Sequence, residues 1–183
     1  MAEIVPFDPS VHLDEYKRLC TEHFTWMKDQ DWLNHRIDVA STLGLTASQA
    51  RARFQETVEK ASSPYLQMKP SDGALFILEV DGEVAGMGAI KRLGGNRGVI
   101  NLMYNRPRFR GRGYGKQMLD RLMEAGRELG ISIFQLITPR FSYAARHIYR
   151  SAGFIEREEY PESLMPSIPS IFAPARIYME KKE

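Results

Sequence analysis

A chain of 183 residues with 43% apolar side chains is long enough for a sizeable core and too apolar to be disordered. A net charge of +2 argues against a protein built throughout for nucleic acid. One cysteine, Cys20, excludes an internal disulfide, makes a thiolate zinc site unexpected and fits a reducing compartment. His12, His23, His35 and His147 show no ligand spacing, so no metal is expected. No long apolar span and no signal-peptide pattern occur, so the expectation is one domain over residues 1–183, cytoplasmic and without membrane contact.

In chain order, Ile4-Val5-Pro6-Phe7 predicts a first strand, with Pro6 marking an edge or a strand end. Leu13, Tyr16, Leu19, Cys20, His23, Phe24 and Met27 recur at helical spacing after the turn Asp8-Pro9-Ser10. Residues 28–45 read as irregular. A second helix is expected from Thr46, its cap, to Ala61, followed by a loop from Pro64 to Gly73. Leu75 to Val80 and Val84 to Ile90 are strands joined by the hairpin signal Asp81-Gly82. Gly86 and Gly88 on the returning strand allow either tight packing or room for a ligand, with packing favoured.

Gly94-Gly95-Asn96 turns the chain into the apolar strand Val99 to Tyr104. Gln117 to Leu129 carries one apolar helix face, stopped by Gly130. Ile131 to Ile137 is a buried strand, Ser142 to Ser151 a helix ended by Gly153. Residues 154–159 and 176–181 form a last antiparallel pair. The loop between them holds Pro161, Pro166, Pro169 and Pro174, and its length suggests a functional role. The order β-α-α-β-β-β-α-β-α-β-β is that of an α+β domain with a mixed sheet.

The stretch between the Val99 strand and the next helix stands out: Arg106-Pro107-Arg108-Phe109-Arg110-Gly111-Arg112-Gly113-Tyr114-Gly115-Lys116. A glycine-rich turn that opens a helix points several backbone N–H groups the same way, and the helix N-terminus adds partial positive charge. No Asp or Glu occurs between Glu83 and Asp120. A phosphate-bearing polyanion is the expected ligand. The nucleotide P-loop fails, because Gln117 stands where Ser or Thr would hold magnesium and Arg110 where the first glycine would be. A dinucleotide fold lacks its acidic residue about twenty positions on. An Arg-Gly RNA-binding segment would repeat, and this one occurs once between ordered elements.

Arg110-x-x-Gly113-x-Gly115 resembles the Arg/Gln-x-x-Gly-x-Gly/Ala signature of the GNAT superfamily of acyl-CoA-dependent N-acetyltransferases. Downstream, Ala145, Tyr149, Gly153 and Phe154 match a second motif of that family, with Ser142 in place of its usual Asn. The two motifs span roughly Ile100 to Phe154. The resemblance implies a mostly antiparallel central sheet flanked by helices and acetyl-CoA as co-substrate. It implies that Arg110, Gly111, Arg112, Gly113, Tyr114, Gly115 and Lys116 cradle the pyrophosphate. Backbone groups of Met103, Tyr104 and Asn105 would take the pantetheine arm, Ser142 would contact the coenzyme or cap its helix, and Tyr149 would be the general acid. Arg146 is equally a phosphate neighbour or a surface charge.

The family's frequent strand carboxylate is absent, with Val99 at the nearest position. Glu22, His23 and Asp31 are more distant candidates for a base, and no one of them is chosen. The family's acceptor regions correspond to residues 26–45 and 161–174, where Asp29, Asp31, Glu159 and Glu162 would attract a cationic amine. The resulting expectation is acetyl transfer to a primary amine in a ternary complex, with a small molecule favoured over a protein as acceptor and a homodimer compatible. Its rivals are a non-catalytic acyl-CoA sensor and a nucleic-acid-binding protein using the basic loop.

Overall fold

The computed structural model describes residues 1–36, 38–158 and 175–183. Strands β1 (Ala2–Pro6), β2 (Gly73–Val80), β3 (Glu83–Gly94), β4 (Arg97–Asn105), β5 (Ile133–Pro139), β6 (Ile155–Arg157) and β7 (Arg176–Lys182) form one sheet in the order β1-β2-β3-β4-β5-β7-β6. Every neighbouring pair is antiparallel except β4–β5. This is the expected mixed, mostly antiparallel sheet flanked by helices. Pro6 ends the edge strand β1, where its missing N–H costs no ladder bond.

Both faces of the sheet are covered, so β2 and β3 read as near-continuous apolar runs. Along β2, Phe76, Leu78 and Val80 enter one core and Leu75 and Ile77 the other, as the two-residue strand period requires. The first core packs under α4 (Tyr114–Glu128) and α5 (Tyr143–Ser151) through Met118, Leu119, Leu122, Met123 and Tyr149. The second lies under α1 (Pro9–His35) and α3 (Ala47–Leu66), with Tyr16, Leu19, Cys20 and Tyr65. The turn Asp81-Gly82 has both residues at positive φ (53° and 80°), the hairpin geometry its sequence signals.

Two expectations need correction. First, α1 does not end near Met27 but runs to His35, and the short helix α2 (Val39–Thr42) follows it. Its last turns lack an apolar stripe; Asp31 anchors them instead through a buried bidentate pair with Arg176, both bonds 2.8 Å. Second, α3 continues through Pro64 to Leu66 because Tyr65 is buried and its hydroxyl accepts a 2.7 Å bond from Asn101 on β4. The last antiparallel pair forms as expected, with β7 lying between β5 and β6, so it closes onto the body of the sheet. The proline loop, with Glu159 and Glu162, lies outside the described residues.

Gly88 of β3 and Gly126 of α4 are packing positions. A Cβ on Gly88 would lie 2.8 Å from Met118 Cγ, which settles that position in favour of packing. A Cβ on Gly126 would lie 2.6 Å from the rigid Phe134 ring and 2.7 Å from Ile90 Cδ1. Gly126→Ala gains about 1 kcal/mol of helix propensity. Overpacking costs about 1–3 kcal/mol, so the net expectation is a loss. The urea midpoint of the variant should fall, and a rise would show that α4 can back away from the sheet at no cost.

Candidate functional site

The site begins where β4 leaves its neighbours. The parallel ladder to β5 runs from Arg97↔Ile133 to Ile100↔Leu136 and stops, although β4 continues to Asn105 and β5 to Pro139. On the other side, β3 pairs Met87 with Tyr104 and Ala89 with Asn101, so Leu102 and Met103 together oppose Gly88. This two-against-one bulge bends the strand. Leu102 sits at φ 56°, a left-handed conformation that β-bulge geometry imposes on a side chain that ordinarily avoids it. The parted strands leave one edge of residues 101–105 with no β5 partner.

The glycine turn lies at the end of this edge. Beyond Asn105 the chain makes a short 3-10 turn at Pro107–Phe109, buries Phe109, and enters α4 through Gly113. Gly111 and Gly113 have φ values of 77° and 81°, which explains the residue type. A Cβ on Gly111 would meet nothing within 4 Å, and one on Gly113 only Gln117 Nε2 at 4.0 Å, so the turn is open on its outer side. The amides of residues 111–115 find no acceptor among the described residues. Gly115 serves packing instead, since its missing Cβ lets α4 approach Ile148 of α5.

The cations of the turn divide in a way the sequence does not show. Arg106 turns inward: it bonds both oxygens of Glu22 at 2.9–3.2 Å, Glu15 at 2.8 Å and the Val84 carbonyl at 2.8 Å. Arg108 pairs with Glu83, and Lys116 with Asp120 at 2.6 Å. The acids that bracket the acid-free run therefore neutralise two of its cations. Arg112 lies over the Phe109 ring. Arg110 folds back from the glycines, donates its Nε–H to the Asn105 carbonyl at 2.9 Å, and stacks between Trp26 and Tyr104 at 4.8 and 5.5 Å.

On the opposite wall, α5 carries Tyr149 into the gap. Its hydroxyl is 3.6 Å from Met103 Sδ, and burial pushes the phenol above its usual range. Ser142 occupies the N-cap position of α5, but its side chain makes no capping hydrogen bond, so the capping role expected for it is not realised. Arg146 proves structural: it donates to the Arg140 carbonyl at 3.1 Å and to Glu156 at 3.2 Å.

The α1 side corrects the candidate bases. Asp31 is buried and spent on Arg176, and Glu22 is held by Arg106. His23 packs between Phe24 and Tyr104, ring centroids 5.4 and 5.3 Å away. Burial, then the nearby Arg110 charge, lowers its pKa to about 4, and its Nδ1 has no hydrogen-bond partner among the described residues. Trp26 also meets Phe141 at 5.7 Å, which brings α1 across to the segment after β5. Beside these rings runs an open groove of about 730 Å3, lined among others by Thr21, Glu22, Trp26, Asp29, Tyr104 and Pro107. Sequence reasoning missed the Arg106–Glu15–Glu22 cluster. Its one visible sign is that Glu15 and Glu22 fall two helical turns apart, on one face of α1.

Val99, at the position where the sequence offers no strand carboxylate, is a buried core residue. Among the described residues no group of side chains could hold a metal, and no helix is long and apolar enough to cross a membrane.

The fold has many counterparts. An acetyltransferase of the GNAT family from Staphylococcus aureus Mu50 superposes with a TM-score of 0.69 at 19% identity, covering 100% of this chain and 99% of that one. The PaiA N-acetyltransferase from Thermoplasma acidophilum, solved in complex with coenzyme A, gives 0.66 at 16% identity, covering 100% and 99%. An acetyltransferase from Streptococcus agalactiae gives 0.60 at 18% identity, covering 100% and 98%. At these identities the likeness is one of fold. None of the curated proteins matches the sequence. The profile of the Acetyltransferase (GNAT) family matches residues 43–154, which is well over half of the chain and includes both the glycine turn and Tyr149. The chain therefore belongs to the GNAT acetyltransferase family.

Proposed function

We propose that the 183 residues act as one N-acetyltransferase domain that moves the acetyl group of acetyl-CoA to a primary amine of a small molecule. The observation that carries this reading is the junction of two features. A strand edge with no β5 partner at residues 101–105 runs directly into a turn whose five successive amides, 111–115, find no acceptor among the described residues. The amides suit a pyrophosphate, and the parted edge suits an extended arm with amide groups of its own. In this assignment Gly111 to Lys116 hold the phosphates, Arg110 through its main chain, and Met103, Tyr104 and Asn105 pair with the arm. Ser142 lies across the gap as a further contact.

The amine nitrogen attacks the thioester carbonyl, the C–S bond breaks, and the sulfur leaves as a thiolate that must gain a proton. Tyr149 is the donor in reach of the gap. Burial raises its pKa, which alone would make it a weaker acid. The same dry surroundings raise the proton affinity of the thiolate, so the two shifts offset each other. The amine's proton leaves through water, because the carboxylates nearest the cleft are spent on arginines and His23 is too weak a base to deprotonate an ammonium. An acceptor that reaches the site already neutral satisfies this chemistry. The same shortage of bases favours the sensor reading as the alternative, which slow coenzyme release with every amine would support.

Thiol release from acetyl-CoA with a panel of amines tests the activity. Gly113→Glu, which places a carboxylate in the amide turn, should abolish both the release and the heat of acetyl-CoA binding. Retained binding would move the coenzyme elsewhere. Tyr149→Phe should lower kcat by about 10²-fold with little change in acetyl-CoA affinity. Because the phenol's pKa is raised, the wild-type rate should show no loss assignable to Tyr149 below about pH 10. Full turnover in the phenylalanine variant would remove the acid role. His23 adds a stability prediction. Its folded pKa of about 4 lies below the unfolded value near 6.5, so the unfolded chain binds the extra proton between them. Stability should be fully present above about pH 6.5 and fall as pH drops toward 4. Urea midpoints of His23→Gln should lose that part of the slope, and an unchanged slope would contradict the burial.

A further inference from the structure

Resting on the acetyltransferase reading, the acceptor end of the cleft carries information about the acceptor itself. The sequence suggests acids that draw in a cationic amine. The structure puts those charges to other uses. Asp31 is buried against Arg176, Glu15 and Glu22 close on Arg106, and Asp29, which lines the groove, lies 3.7 Å from Lys28. Beside the groove, its aromatic lining meets one guanidinium. Trp26 and Tyr104 line the groove and hold the Arg110 guanidinium between them. Among the described residues no carboxylate pairs with that guanidinium, although the residue is exposed. Two imidazole nitrogens in the same ring cluster, His23 Nδ1 and His35 Nε2, are buried without a hydrogen-bond partner among the described residues. Phe141 completes the cluster between Trp26 and His35. A groove of about 730 Å3 is of the size that takes a small molecule.

We propose that the acceptor is an aromatic amine that carries a carboxylate, with its ring against Trp26 and Tyr104 and its carboxylate on Arg110. A guanidinium over two rings, with its Nε–H on the Asn105 carbonyl, has lost much of its freedom before the ligand arrives, which favours binding of a planar anion. A buried nitrogen without a partner favours a ligand that brings a polar hydrogen or lone pair over one that is wholly apolar. A diamine meets the opposite conditions: its second charge would face Arg110 with the neighbouring carboxylates already engaged. The reaction is the one already described, transfer of the acetyl group to the free amine with release of the thiol.

The test compares kcat/KM at saturating acetyl-CoA for phenylalanine, tyrosine and tryptophan, their carboxamides, alanine and 1,4-diaminobutane. The carboxamides have the more acidic ammonium and thus the larger neutral fraction, so an unguided site would favour them. The expected result is the reverse: each aromatic acid exceeds its carboxamide, and the diamine, by about tenfold. Arg110→Gln should bring the acid-to-amide ratio close to one. The ratio cancels any change in coenzyme binding, because both acceptors share it. An amide or diamine used as well as the acids overturns the proposal, as does a ratio that survives in the variant. Calorimetry with acetyl-CoA separates the two levels. Coenzyme binding without transfer to any aromatic acid overturns this proposal alone, and no coenzyme binding overturns the acetyltransferase reading beneath it.

Discussion

The parting of β4 from β5 after Ile100 is the constraint on which the rest depends. It requires a bend in the middle of a strand buried on both faces, and the bulge at Leu102 and Met103 supplies it. Placing a leucine at φ 56° costs about 1–2 kcal/mol. Leu102 is 7% exposed in the core beneath α1 and α3, and burial of a leucine side chain contributes about 1.5–3 kcal/mol. The strained backbone is therefore tolerated only while that core is intact. This ties the geometry of the cleft to the packing of α1.

Arg106 fixes what the bulge begins. It sits at the end of the bent strand and gathers Glu15, Glu22 and the Val84 carbonyl, so one guanidinium joins α1, the start of β3 and the entry to the glycine turn. Its side chain is 14% exposed and its partners 28% and 38%. Such a cluster lies between the ~0–1 kcal/mol of an exposed pair and the ~3–5 kcal/mol lost when one partner of a buried pair is removed. The same cluster consumes the negative charge of α1 near the cleft. Positioning of the strand end and the engagement of Glu15 and Glu22 therefore have one cause.

Much of this is legible in the sequence, and the rest is hidden for physical reasons. The strands, the hairpin at Asp81-Gly82 and the helix after the glycine turn are local events, written in two-residue and helical periods and in glycine placement. Thr46 caps its helix with Gln49 as a reciprocal partner, again a local pattern. The turn and Tyr149 can be singled out because their motifs are contiguous. What the sequence does not show are partnerships across long separations. Asp31 with Arg176 lengthens α1 by two turns, and Tyr65 with Asn101 carries α3 through a proline. Arg106 reads as a ligand for phosphate, yet its partners lie 84 and 91 residues away. Charge counts along the chain cannot reveal which arginines are already satisfied.

The coenzyme site is probed most directly by backbone hydrogen exchange with and without acetyl-CoA, resolved to single amides. New protection is expected on the β5-facing edge of Met103 to Asn105 and at Gly111 to Gly115, with β1 and β6 unchanged. Protection confined to other segments, or none at saturating ligand, would mean that the parted strands and the glycine turn do not form a coenzyme site.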